Sequence, residues 1–160
     1  MPSAVIEAVL IFLIGITLVS LALPFALNSI QQTSDIFEVD KVRTEFEICS
    51  DKLLDAARTG VGNSCLFSIN KGLITVGSND WIRYTIQSPY DICDKSDFVN
   101  INPEKYIWQG CNVTNSLRTF QLGWFSSSIR FEVQGFGGKT LEFSRKDATE
   151  NYVTLLIKVS

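Results

Sequence analysis

Ala8-Val-Leu-Ile-Phe-Leu-Ile-Gly-Ile-Thr-Leu-Val-Ser-Leu-Ala-Leu-Pro-Phe-Ala-Leu27 is the stretch on which the fold turns. No residue between Glu7 and Asp35 is charged. A helix needs about 20 consecutive apolar residues to cross a bilayer, and this run supplies them. A helix buried in a soluble domain keeps one polar face, whereas this one is apolar all round. Its natural surroundings are therefore lipid or a set of identical helices.

The helical reading continues past Leu27. Residues 28–34 are polar and form a soft joint. From 35 to 58 the apolar residues are Ile36, Phe37, Val39, Val42, Phe46, Ile48 with Cys49, Leu53, Leu54, Ala56 and Ala57. Steps of three and four dominate, as on a helix with one buried face. Glu38, Lys41, Glu45, Lys52 and Asp55 fill the other side and read as a solvated face, not a catalytic row. Residues 4–58 thus make one long helix or two stacked ones, about 80 Å at 1.5 Å per residue. A globular head can pack only on the amphipathic second half, which predicts an apolar stem carrying a head. Gly60 is the expected C-cap.

From Cys65 onward the period is two. Strands are expected at 66–70, 73–76, 81–87, 99–101, 106–108, 117–124, 128–133, 139–143 and 152–159. Lys71-Gly72 reads as the turn of a hairpin between the first two. Ser88-Pro89, Asn102-Pro103 and the segments 112–116, 135–138 and 147–151 are the other turns. Short strands with frequent turns imply an antiparallel, sandwich-like head, so the fold class is α+β. The run 153–159 is the most apolar and is expected to be a central strand. The organisation is a stem over 1–34, its amphipathic continuation over 35–59, and a β-rich head over 60–160.

The chain has 160 residues with a net charge of −3, from 14 basic and 17 acidic residues. It has no basic run, which leaves nucleic-acid binding without support. Histidine is absent, so neither a Ser–His–Asp nor a Cys–His arrangement can form. No catalytic constellation, metal site or cofactor motif emerges. Four cysteines, Cys49, Cys65, Cys93 and Cys111, behind an export-type segment read as two disulfides in an oxidising exterior. The favoured pairing is Cys49–Cys65 and Cys93–Cys111, because each pair closes a short loop. The alternative is four buried thiols in a reducing compartment. No C-x-x-C spacing suggests zinc.

Two residues depart from a plain membrane anchor. Glu7 places a carboxylate at the start of the apolar run, where a charge is expensive without a partner. Pro24 removes a backbone donor well inside it. Counted from Ser3, Glu7 is the fifth residue and Pro24 the twenty-second. With these markers the stretch resembles the N-terminal segment of type IV pilins, most of all the archaeal kind that also builds archaella. The resemblance covers about the first quarter of the chain. It implies a mature chain beginning at Ser3 after a prepilin peptidase acts, subunits held in the membrane by their stems, and assembly by an ATPase and platform. In a filament of parallel stems, Glu7 is placed to meet the free amine of a neighbour's first residue and so set axial register. Pro24 loosens the helix for packing. The alternatives are a surface Glu and a tolerated kink in an ordinary anchor.

Three loops carry weaker signals. Asn112-Val113-Thr114 is an N-glycosylation sequon in an expected loop. Asp91, Asp94 and Asp97 surround Cys93, but Lys95 intrudes and the spacing is not that of a calcium loop. Gly135-Phe-Gly-Gly-Lys-Thr140 approaches a phosphate loop, yet Val133 stands where the first glycine belongs and the segment lies between strands. The eighteen aromatic residues read mainly as core. The expected function is that of a self-assembling extracellular filament subunit, for adhesion or motility, anchored in the membrane before assembly. The alternatives are a membrane-anchored surface-binding protein, a minor pilin or stator-like component among them, and a secreted domain behind a cleaved signal peptide.

Overall fold

The computed structural model describes residues 2–77, 80–93, 98–135 and 138–160, with side chains from Val5 onward. One helix, α1 (Pro2–Thr59), precedes nine strands. The chain divides into two compact units, Met1–Ser34 and Asp35–Ser160.

The first unit is helix alone. Three of its hydroxyls bond to the preceding turn: Thr17 Oγ1 donates to the Leu13 carbonyl, Ser20 Oγ to the Ile16 carbonyl and Thr33 Oγ1 to the Ser29 carbonyl, each at 2.8 Å. Such bonds to the preceding turn give a polar group a partner within its own helix. Pro24 lies inside the helix, so the Ser20 carbonyl one turn back receives no backbone N–H from it.

In the second unit α1 continues to Thr59 and ends on Gly60, whose φ of 78° suits glycine. The Gly60 N–H donates to the Ala56 carbonyl at 3.0 Å, closing the last turn. The strands are β1 (Asn63–Leu66), β2 (Leu73–Gly77), β3 (Trp81–Ser88), β4 (Val99–Asn102), β5 (Ile107–Thr114), β6 (Leu117–Phe125), β7 (Ile129–Gln134), β8 (Thr140–Ala148) and β9 (Val153–Val159). They form a four-stranded sheet in the order β1-β8-β9-β7 and a five-stranded sheet in the order β2-β3-β6-β5-β4. The apolar run 153–159 is central, as expected.

Three expectations about the strands change. The hairpin at Lys71-Gly72 does not form. β1 pairs with β8 and β2 with β3, while 67–72 crosses between the two sheets. The pairing is not wholly antiparallel: β8 runs past, β9 folds back into the slot beside β7, and β7–β9 is parallel. Asn112 lies in strand β5, not in a loop. The β5–β6 turn narrows to Asn115-Ser116, both at positive φ, the backbone that a two-residue hairpin requires.

The core sits between the helix and both sheets. Val42, Phe46, Leu53 and Ala56 of α1 are buried with Phe67, Ile82, Tyr84, Leu122, Trp124, Phe143 and Leu155. One polar contact threads it: the Trp124 indole N–H donates to Ser50 Oγ at 3.1 Å, and Ser50 donates onward to the Lys105 carbonyl at 2.7 Å. The helix stripe is narrower than the sequence reading. Ile36, Phe37 and Ile48 are on its exposed side.

Candidate functional site

The stem is the first candidate. Its side chains from Val5 to Ile30 are exposed on every side, Phe25 to 78 %. The helix contains an 18-residue window of mean hydropathy 2.6 with none of it buried, so it is long and apolar enough to cross a membrane. Burying a large apolar side chain is worth about 1.5–3 kcal/mol, so some twenty of them represent tens of kcal/mol. That quantity exceeds the whole stability of an ordinary domain. Covering the stem is therefore the dominant energetic fact of the molecule.

Glu7 is exposed on this surface. Among the described residues no ion pair includes it. Pro24 lies well inside the apolar run, flanked by the exposed Leu23 and Phe25. Ser3 belongs to α1, and its side chain lies outside the described residues.

A second constellation, at the start of the head, escaped the sequence reading. Asp35 and Glu38 are only 5 % and 3 % exposed, which corrects the assignment of Glu38 to a solvated face. Asp35 accepts from the Lys71 ammonium at 2.5 Å and from Ser88 Oγ at 2.6 Å. Glu38 accepts the backbone N–H of Asn70 at 2.5 Å, that of Lys71 at 3.3 Å, and the Asn70 side-chain amide at 3.3 Å. The two carboxylates are thus donor-saturated, the condition under which buried charge is tolerated. Burial, and behind it the charges of Glu38 and Asp35, pushes the Tyr84 phenol upward. It stays protonated and donates to the Lys71 carbonyl at 2.8 Å.

The rest of that helix row acts alike. Lys41 donates to the Ser68 carbonyl, Glu45 accepts the Ser68 N–H at 3.0 Å, and Lys52 donates to the Ser64 carbonyl at 2.8 Å. With the Cys49–Cys65 bridge, Cα atoms 5.4 Å apart, these residues bind the 64–71 segment along the helix. They form a structural clamp. The charges of Lys41, Glu45 and Lys52 are each engaged by a backbone group of that segment.

Cys93 and Cys111 form the second bridge, Cα atoms 5.9 Å apart. Asp91 pairs with Arg118 at 3.0 Å; Asp94, Lys95 and Asp97 lie outside the described residues. Gly135 and Gly138 stand between β7 and β8, and Phe136 and Gly137 also lie outside the described residues. Asn112 is exposed. Among the described residues no group of three or more metal-ligating side chains gathers. No protein-family model, curated protein or solved structure matches the chain.

Proposed function

We propose that this chain is the structural subunit of an extracellular filament of the type IV pilus kind, serving adhesion or motility. One observation carries the reading: an α-helix apolar on every side and exposed along its length, followed by a disulfide-bonded β head. Before assembly the stem rests in lipid with the head in an oxidising exterior. During assembly stems exchange lipid for one another. Head-to-tail contacts between identical subunits build an open helix when the rotation from one subunit to the next does not close a ring. The mechanism is assembly and not catalysis. The resemblance of the first residues to archaeal pilins supports the same reading, with a prepilin peptidase and an assembly ATPase as partners.

In this account Glu7 selects the register. Once stems surround it, its carboxylate must meet a positive group such as a neighbour's terminal amine, and a misplaced subunit leaves the charge unpaired. The test is fractionation of cells producing wild type or Glu7→Ala. Wild type is expected in the sheared extracellular fraction. Glu7→Ala is expected to remain in the membrane fraction with an intact, oxidised head, and the sheared yield to fall at least about tenfold, the equivalent of 1.4 kcal/mol. Equal sheared yields would remove Glu7 from the mechanism. Wild type found only in membranes would point instead to an anchored surface-binding protein.

A further inference from the structure

We infer that Asn112 carries an N-linked sugar and that the head holds a preformed seat for its first ring, the hollow between Asn112 and Phe98. The inference rests on the export of the head proposed above.

In β5 successive side chains point to opposite faces of the sheet, although Gly110 is buried as well, under Phe98. Ile107, Gln109 and Cys111 are buried toward the core, so Trp108, Gly110 and Asn112 face the other side of the five-stranded sheet. Gly110 is paired with Gln121 of β6, and Val99 with Gln109, which brings Phe98 opposite Gly110. Gly110 is needed there: a Cβ would lie 2.4 Å from Phe98 Cδ2. Without one, the Phe98 ring lies across the strand and stacks on Trp108, centroids 5.9 Å apart and planes within 6°. Phe98 nevertheless stays 49 % exposed. What remains is a hollow of about 150 Å³ lined by Phe98, Gly110, Cys111, Asn112 and Gln121.

Size and chemistry narrow the occupant. Free small-molecule sites usually enclose about 300 Å³ or more, so this hollow is too small to capture a diffusing ligand. A group tethered to the hollow's own wall pays no such entry cost, because its effective concentration is high. Asn112-Val113-Thr114 is the acceptor sequence for that tether. A sugar ring presents an apolar C–H face and a hydroxyl rim. Phe98 offers the matching aromatic face, and the Gln121 amide offers a donor and an acceptor. The attachment uses a glycosyl donor activated as a pyrophosphate ester and a transferase acting in trans. The Asn112 amide nitrogen bonds to the anomeric carbon, the bond from that carbon to the pyrophosphate oxygen breaks, and pyrophosphate leaves with the electron pair. The amide gives up one proton.

The chain purified from its native cells is reduced, alkylated and digested with trypsin, and peptide 106–118, freed from the Cys93–Cys111 bridge, is weighed before and after deglycosylation. A sugar on Asn112 is the expected result. Melting is then compared for Asn112 and Asn112→Gln in three backgrounds: wild type, Phe98→Ala, and Phe98→Leu, which keeps Gly110 covered without a ring. Loss of the sugar should lower Tm by about 2–4 °C in wild type and by less than half as much in either Phe98 variant. An equal loss in all backgrounds would overturn the seat. An unmodified Asn112 in assembled filaments would overturn the sugar while leaving the filament reading standing.

Discussion

Glu38 sits on an amphipathic helix among charges, yet it is buried, and its carboxylate holds the backbone of Asn70 and Lys71. Glu38→Ala leaves those amides buried without acceptors and should cost about 3 kcal/mol, measured by urea unfolding of the oxidised chain. Ser50→Ala strands both the Trp124 indole and the Lys105 carbonyl, and about 1–3 kcal/mol should be lost in the same assay. Neither role was legible in the sequence. Periodicity says that the Glu38 side of the helix differs from the Val42 side; it does not say which distant segment arrives there. A clue was present nonetheless. Glu38, Lys41, Glu45, Cys49 and Lys52 share one flank, and a bond from Cys49 to Cys65 obliges the residues after Cys65 to run along it.

At the scale of elements, the long helix, its end at Gly60 and the central place of 153–159 were readable, because each rests on local chemistry: apolar composition, a glycine stop, a branched apolar run. The partner of β1 was not. Leu66 and Leu73 flank a credible turn, yet β1 is claimed by β8, and the anchors from α1 hold the intervening segment away from a hairpin. The two bridges span 16 and 18 residues. Closing a loop of that size restricts the unfolded chain by about 3 kcal/mol. Cys49→Ser with Cys65→Ser should lower the stability of the head by that amount and loosen the 64–71 segment first, measured as lost hydrogen-exchange protection at Asn70 and Lys71. The parallel β7–β9 pair was equally hidden, since strand spacing carries no information about which slot a returning strand enters.

For the molecule as a whole, the division at Ser34 and Asp35 separates a helix whose stability depends on what surrounds it from a head with its own core. Residues 35–160 produced alone should stay monomeric in aqueous buffer by gel filtration with both disulfides formed, while the full chain should require detergent or assemble. The head buries Leu53, Tyr84, Trp124 and Leu155 among its own residues; the stem buries nothing of its own. The stem's exposure was the most legible feature of the chain, since twenty apolar residues without a polar face leave few alternatives. What those stems pack against is the central claim, and it is tested most directly by helical reconstruction of filaments sheared from cells, with mass spectrometry on the same fraction. The account predicts filaments containing this chain, a core of parallel stems with Glu7 enclosed, and heads outside. Filaments lacking the chain, or chains present without residues 8–27, would contradict it.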